Sequence, residues 1–344
     1  MSDEAARLYQ QALVLDCNSA PTGDFLIKLP MSQADLDRVR ESGVNVIRWS
    51  VGGIDYGFAD TVAEIASVER LLELYPDYFT AVRVPSDLPR AQRERKMGLI
   101  LSFESAEMLE GRLDRLELFR NLGVRVMQLS YNRRSAFANG VMEPDAGGLT
   151  ALGREAVRRM NALGIAIDLS HANAATTSDV LALSSKPPVM THSGCAAIHP
   201  HPRNKTDEQL RALAARGGVL GIYDLPYLTA SPRQPTLDDY MQHMAHAIDV
   251  AGEDHIGVGS DVAIEPFDLS PANVAGYIKE VVEYRQKSGL AAPEEDRIPY
   301  VEGLNTPRRM EIIAGQLLRR GYPARVAEKI LGANFARVLT EAWT

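Results

Sequence analysis

Cysteine is nearly absent from this chain. Two occur in 344 residues, Cys17 and Cys195, so there is no disulfide framework and a reduced, cytoplasmic setting is expected. Long apolar runs are missing too, and no segment reaches the ~20 residues needed to cross a bilayer as a helix. The N-terminal residues MSDEAAR are acidic and lack the apolar core of a secretory signal. Basic charge is in deficit, with 37 Lys and Arg against 45 Asp and Glu, a net charge of -8. A nucleic-acid-binding face needs clustered cations. The one basic run, Arg90 to Lys96, is short, interrupted by Glu94, and reads as a solvated helix face. Pro- or Ser-rich linkers and short-period repeats are absent as well. These absences predict one domain over residues 1–344 that binds neither nucleic acid nor membrane.

What is present is an alternation of apolar strands and helical segments. Strands are predicted at Leu13–Asp16, Val44–Ser50, Leu99–Glu104, Val124–Ser130, Ile165–Leu169, Pro188–Met190, Gly217–Tyr223 and His255–Asp261, with a short extra one at Phe79–Val84. Between them lie helices at Ser32–Ser42, Thr61–Leu74, Ser86–Met97, Leu113–Leu122, Thr150–Gly164, Ala174–Leu183 and Leu237–Ala251. Another opens at the capping box Thr206-Asp-Glu-Gln209. Helices at Ala272–Arg285, from Thr306-Pro307, and at Glu328–Glu341 complete the chain. Asn132–Gly148 and Ala291–Pro299 read as loops. Eight strands alternating with helices favour an α/β fold of the (β/α)8 TIM-barrel type over a doubly wound sheet.

In such a barrel, ligands bind where the carboxyl ends of the strands converge. The residues predicted there are Glu104, Tyr131, His171, His192 and Asp261, with Arg203 in the loop after His192. Two histidines and one carboxylate form a catalytic zinc set with room for water, and the same set suits non-haem iron. Asp261 is placed to carry a proton, with helix capping as the competing role. Arg203 can hold a carboxylate through its planar fork, and a surface salt bridge is the competing reading. His243, His246 and His255 read as packing or structural residues, His199 has no assigned role, and Cys17 reads as a small buried residue.

Asp168-Leu-Ser-His171, Thr191-His-Ser193, His201-Pro-Arg-Asn204, Thr206-Asp-Glu-Gln209, Arg216-Gly-Gly-Val219, Asp254-His-Ile-Gly-Val-Gly-Ser-Asp261 and Leu331-Gly-Ala-Asn-Phe-Ala-Arg-Val338 resemble the membrane (renal) dipeptidase family, in order along nearly the whole chain. The resemblance implies a (β/α)8 barrel with a two-zinc site that cleaves dipeptides, often with a D-residue at the C-terminal position. Some family members are dimers, so a homodimer is consistent with it. It also implies that Glu104 is a bridging carboxylate and that His171 and His192 are ligands of one metal. Arg203 then clamps the substrate carboxylate, and Asp261 is the catalytic acid and base.

Three motifs depart from the family pattern. The His-x-Asp pair that supplies the other metal is replaced by Asn18 and Ala20. A substrate-contacting histidine is replaced by Tyr131, whose hydroxyl can donate to a developing oxyanion. The family's Asp-Phe-Asp-Gly becomes Asp261-Val-Ala-Ile. The expectation is a divergent metallohydrolase of small amides bearing a free carboxylate, with one Zn²⁺ per chain. A different reaction on the same scaffold (a lyase or an iron-dependent biosynthetic step) and a catalytically weak binding protein are the alternatives.

Overall fold

The computed structural model describes residues 3–23, 28–53 and 56–344; Met1 and Ser2 of the acidic N-terminal segment lie outside the described residues. Nine strands follow in chain order: β1 Leu15–Asp16, β2 Val46–Ser50, β3 Phe79–Ala81, β4 Met97–Phe103, β5 Val124–Gln128, β6 Ala166–Asp168, β7 Val189–Ser193, β8 Val219–Ile222 and β9 Ile256–Val258. All pairings between them are parallel. The order runs β2-β1-β9-β8-β7-β6-β5-β4, and β4 pairs back onto β2, closing an eight-stranded barrel. The ninth strand, β3, lies along the start of β4 and stands outside the ring. Every predicted strand is thus present, and the extra one at Phe79 is an appendage to β4.

The strands are apolar runs because parallel barrel strands are covered on both sides. Every residue of β4 is buried. Leu15, Val46, Ile100, Val126, Ala166, Val189 and Val219 join one cluster that the C-terminal helix closes with Phe335, Val338 and Leu339. Helix ends follow their sequence signals. Ser32 with Asp35, Thr206 with Gln209 and Thr236 with Asp239 form reciprocal capping boxes, each satisfying amides that a helix start leaves unpaired. Gly43 and Gly164 take left-handed backbone at two helix stops.

Two helix expectations need correction. Thr306-Pro307 lies in a turn, and the helix begins at Arg309, where backbone bonding resumes. The closing segment predicted as one helix from Glu328 is two helices: one starts at Ala324, the chain kinks at Gly332, whose backbone is not helical, and the second is Asn334–Trp343. The helix predicted at Ala272–Arg285 runs from Pro271 to Lys287, with its own π-type stretch at Ile278–Val282.

One irregularity shapes the site. Met190 pairs with Leu220 but Ser193 pairs with Ile222, so β7 carries a bulge at Thr191-His192. The displaced Thr191 carbonyl lies against Gly221 and Gly259, and a Cβ at either glycine would collide with it. Glycine is required there because another backbone occupies the side-chain space.

Candidate metal centre and active site

The carboxyl ends of β6 and β7 are tied together by Asp168, which is fully enclosed. Its Oδ1 accepts from the Ser170 amide (2.9 Å), the Ser170 hydroxyl (2.6 Å) and the Thr191 amide (3.1 Å). Its Oδ2 accepts from the Thr191 hydroxyl (2.6 Å) and from Gln128 Nε2 (3.0 Å). A buried carboxylate so fully bonded dictates the path of both turns, and hence where His171 and His192 stand.

Each imidazole is then oriented by a second contact. Asn132 donates from Nδ2 to the Leu290 carbonyl, which turns its Oδ1 toward His171 Nδ1 at 2.7 Å. That oxygen can only accept, so His171 carries its proton on Nδ1 and presents a lone pair at Nε2. Thr191 spends its hydroxyl proton on Asp168, leaving its oxygen to accept from His192 Nδ1 at 2.9 Å, and Asn18 Nδ2 also lies 3.1 Å from that nitrogen. In the tautomer that donates to Thr191, His192 also presents Nε2. The two Nε2 atoms face each other 3.0 Å apart. Burial and the nearby Arg203 guanidinium push both imidazole pKa values well below the usual histidine value, so both are neutral.

Glu104, just past the end of β4, completes the set, and its ligand atom and those of His171 and His192 all lie within 4.8 Å of one another. Two ligand atoms about 2.05 Å from a tetrahedral ion stand roughly 3.3 Å apart, so the 3.0 Å between the two Nε2 atoms suits one small divalent cation. Neutral imidazoles with protonated Nδ1, each held by an acceptor, are the form in which histidine binds metal. The donor set fits an ion.

Around it lie the other predicted residues. Asp261 follows β9 in left-handed backbone, with its amide donating to the Asn18 carbonyl at 2.7 Å. Its Oδ1 accepts from Asn18 Nδ2 at 2.6 Å and its Oδ2 stands 3.9 Å from His192 Nε2. Among the described residues, no helix is capped by it. Burial, then the negative charge of Glu104, raise its pKa well above the ordinary carboxylate value. Tyr131 stacks on His171 with centroids 4.0 Å apart. Its hydroxyl accepts from Arg285 Nη2 at 3.0 Å, so its own proton stays free to donate, and burial pushes its pKa up to about 12.

Arg203 is buried, which removes the surface salt-bridge reading. Its Nη1 donates to the Ser170 carbonyl, and its Nη2 has no protein partner. All of these except His192 line one cavity of about 820 Å³, walled on the far side by Phe267, Tyr277 and Tyr300.

The remaining histidines are elsewhere. His243 accepts from the Cys195 amide and donates to the Leu228 carbonyl, His246 pairs with Asp207, and His255 bonds the Gly218 carbonyl. His199 stands 3.4 Å from Glu294. Cys17 is fully buried, and burial pushes its thiol pKa well up. Three site residues escaped the sequence reading: Arg48, Asn132 and Arg285. Arg48 had a signal, a lone charge inside the apolar run of β2. Arg285 had none, because only the fold brings its helix over Tyr131.

An eight-stranded parallel barrel with two neutral imidazoles and a carboxylate at its strand ends has the architecture of a metal-dependent hydrolase. A sequence model of the membrane dipeptidase family (peptidase family M19) matches residues 4–287. The chain belongs to that family. It is 29% identical over 343 residues to Dipeptidase tcpJ of Claviceps purpurea, covering 95% of this chain and 72% of that protein. An amidohydrolase structure from Pseudomonas aeruginosa matches with a TM-score of 0.84 and 29% identity over 98% of this chain and 99% of its own. A metallopeptidase from Rhodobacter sphaeroides, liganded with a phosphinate mimic of L-Ala-D-Ala, matches with a TM-score of 0.78, covering 96% and 99%. At 22% identity, that likeness speaks for the fold. Family and fold together make this protein a metal-dependent, dipeptidase-like hydrolase. Among the described residues, no helix is long and apolar enough to cross a membrane.

Proposed function

We propose that the protein hydrolyses a dipeptide or related small amide with a free carboxylate, using one zinc ion held by Glu104, His171 and His192. The observation that carries this reading is the convergence of those three ligand atoms in a cavity that also holds the unpartnered Nη2 of buried Arg203. A divalent ion bound there would acidify a water molecule and polarise the scissile carbonyl.

The chain's own residues do the rest. Arg203 offers Nη2 to the substrate carboxylate and so sets how deep the substrate enters. Asp261, within 3.9 Å of His192, takes the proton from the attacking water and returns it to the leaving amine. Tyr131 donates its free hydroxyl proton to the developing oxyanion, while the Arg285 charge behind it strengthens that donor.

Recognition of the substrate's amino end differs from the family pattern. Asn18 Oδ1 is taken by Arg48 and its amide nitrogen can only donate, and the Ala20 side chain has no polar group, so neither side chain offers an acceptor to an ammonium. We therefore expect better turnover when the amine is acylated, absent or part of a ring. The gain over free dipeptides should be roughly ten- to a hundredfold in kcat/KM, the worth of one polar contact. Metal analysis with a panel of free and N-acylated dipeptides of both chiralities tests this. A kcat/KM of order 10⁵ M⁻¹s⁻¹ on Ala-Ala or Ala-D-Ala would overturn the altered preference. No bound metal at all would overturn the mechanism. The two cysteines are buried and unpaired, which supports a cytoplasmic setting.

A further inference from the structure

Arg48 heads the fully buried side chains in size and projects from β2 into the barrel. A guanidinium in that position destabilises the fold unless charges and acceptors meet it. Its Nη1 donates to Asn18 Oδ1 at 2.5 Å and to Glu104 Oε1 at 3.2 Å. Its Nη2 lies 3.5 Å from Asp168 Oδ2 and 3.5 Å from the Phe103 carbonyl. The bond to Oδ1 fixes which way the Asn18 amide points, so Nδ2 donates to Glu104 Oε1 at 3.0 Å and to Asp261 Oδ1 at 2.6 Å. Glu104 Oε1 thus receives two N–H donors. Its Oε2 receives none from the described residues.

From this arrangement we infer that Arg48 is a cation built into the chain. With Asn18 it fills the side of Glu104 where a second metal ion would sit, so the centre holds one ion. The inference deepens the proposed function and rests on its reading of Glu104, His171 and His192 as the ligands of one ion. The residues on the other side of Glu104 do not fit a metal. Asn18 turns its amide nitrogen inward, and that atom has no lone pair to give. Ala20 offers no donor. A second ion on Oε1 would displace two hydrogen bonds and stand beside a like charge in a low-dielectric interior. Arg48 is a positioning residue: it holds the Glu104 carboxylate, and being fully buried with its terminal nitrogens turned to Asn18, Glu104 and Asp168 it does not reach the cavity.

The consequence is specific. Replacing the missing ligands alone should not restore a second metal while Arg48 remains. Wild type, Asn18→His with Ala20→Asp, and that pair combined with Arg48→Met would each be loaded with Mn²⁺ and dialysed. Bound metal is counted and the spin coupling read by electron paramagnetic resonance. We expect one equivalent and an uncoupled spectrum for wild type and for the double variant, and two equivalents with an exchange-coupled spectrum for the triple variant. Two equivalents in the double variant, with one in wild type, would overturn the role of Arg48 and leave the proposed function standing. Zero or two in wild type would overturn the one-metal reading itself. A triple variant that is folded by circular dichroism yet binds one ion would also overturn the inference. Should the triple variant not fold, the double variant decides: one equivalent supports the inference and two reject it.

Discussion

Arg203 enters the cavity with Nη1 spent on the Ser170 carbonyl and Nη2 free, so only part of its fork serves a ligand. If that part binds the substrate carboxylate, Arg203→Lys should raise KM about ten- to a hundredfold, because a point charge cannot reproduce the planar geometry. Converting the substrate carboxylate to an amide should then cost wild type far more than the variant. Equal losses would make Arg203 structural. Asp224, after β8, is a different case. It is buried with no hydrogen bond on either oxygen; Arg309 Nε is 3.7 Å away, and Asp16 also acts on it electrostatically. Burial raises its pKa to about 8. Between pH 4 and 8 the native state therefore holds a proton that the unfolded chain has released, so this group's contribution to stability falls as pH rises through that window. Asp224→Asn should accordingly gain stability over wild type at pH 8, by a few kcal/mol at most, and lose that advantage near pH 5. Melting curves at the two pH values check this, and a difference independent of pH would reject it.

At the scale of elements, the bulge in β7 links backbone packing to the proposed metal centre. It exists because Gly221 and Gly259 leave room for the Thr191 carbonyl, and it turns His192 toward the barrel mouth. Gly259→Ala should force that carbonyl aside at a cost of about 1–3 kcal/mol and weaken metal binding through His192. Gly276→Ala, in a helix with nothing near the added methyl, should be neutral or slightly stabilising. Thermal denaturation with a metal titration separates the two; intact metal affinity in Gly259→Ala would show that the bulge does not position His192. The eight barrel strands were legible because buried parallel strands are short apolar runs between helix signals. The bulge was not, since a register shift depends on which backbone lies opposite. The helix start at Arg309 was misread for a related reason: Thr306-Pro307 has the local chemistry of a helix start, but the chain there turns once more first.

For the whole molecule, the proposed metal centre joins the ends of β4, β6 and β7, distant in sequence and held otherwise by hydrogen bonds and packing. An ion that binds only the folded state adds about 2.7 kcal/mol when its free concentration is a hundred times Kd. Zinc should therefore raise the melting temperature by several degrees in a concentration-dependent way, and a chelator should reverse it. Glu104→Gln should lose most of that shift. A melting temperature indifferent to zinc in wild type would argue against the centre.

The sequence alone determined the barrel and the candidate ligands, because strand period, caps and the residues closing each strand are local properties. Its family resemblance also implied that Asn18 and Ala20 stand where the family carries ligands. It did not show what takes their place. Arg48 lies 30 residues from Asn18 and 56 from Glu104, and Arg285 lies 154 from Tyr131. Only closure of the barrel brings these charges onto the same side chains. A buried cation has meaning through its partners, and the partners are chosen by the fold.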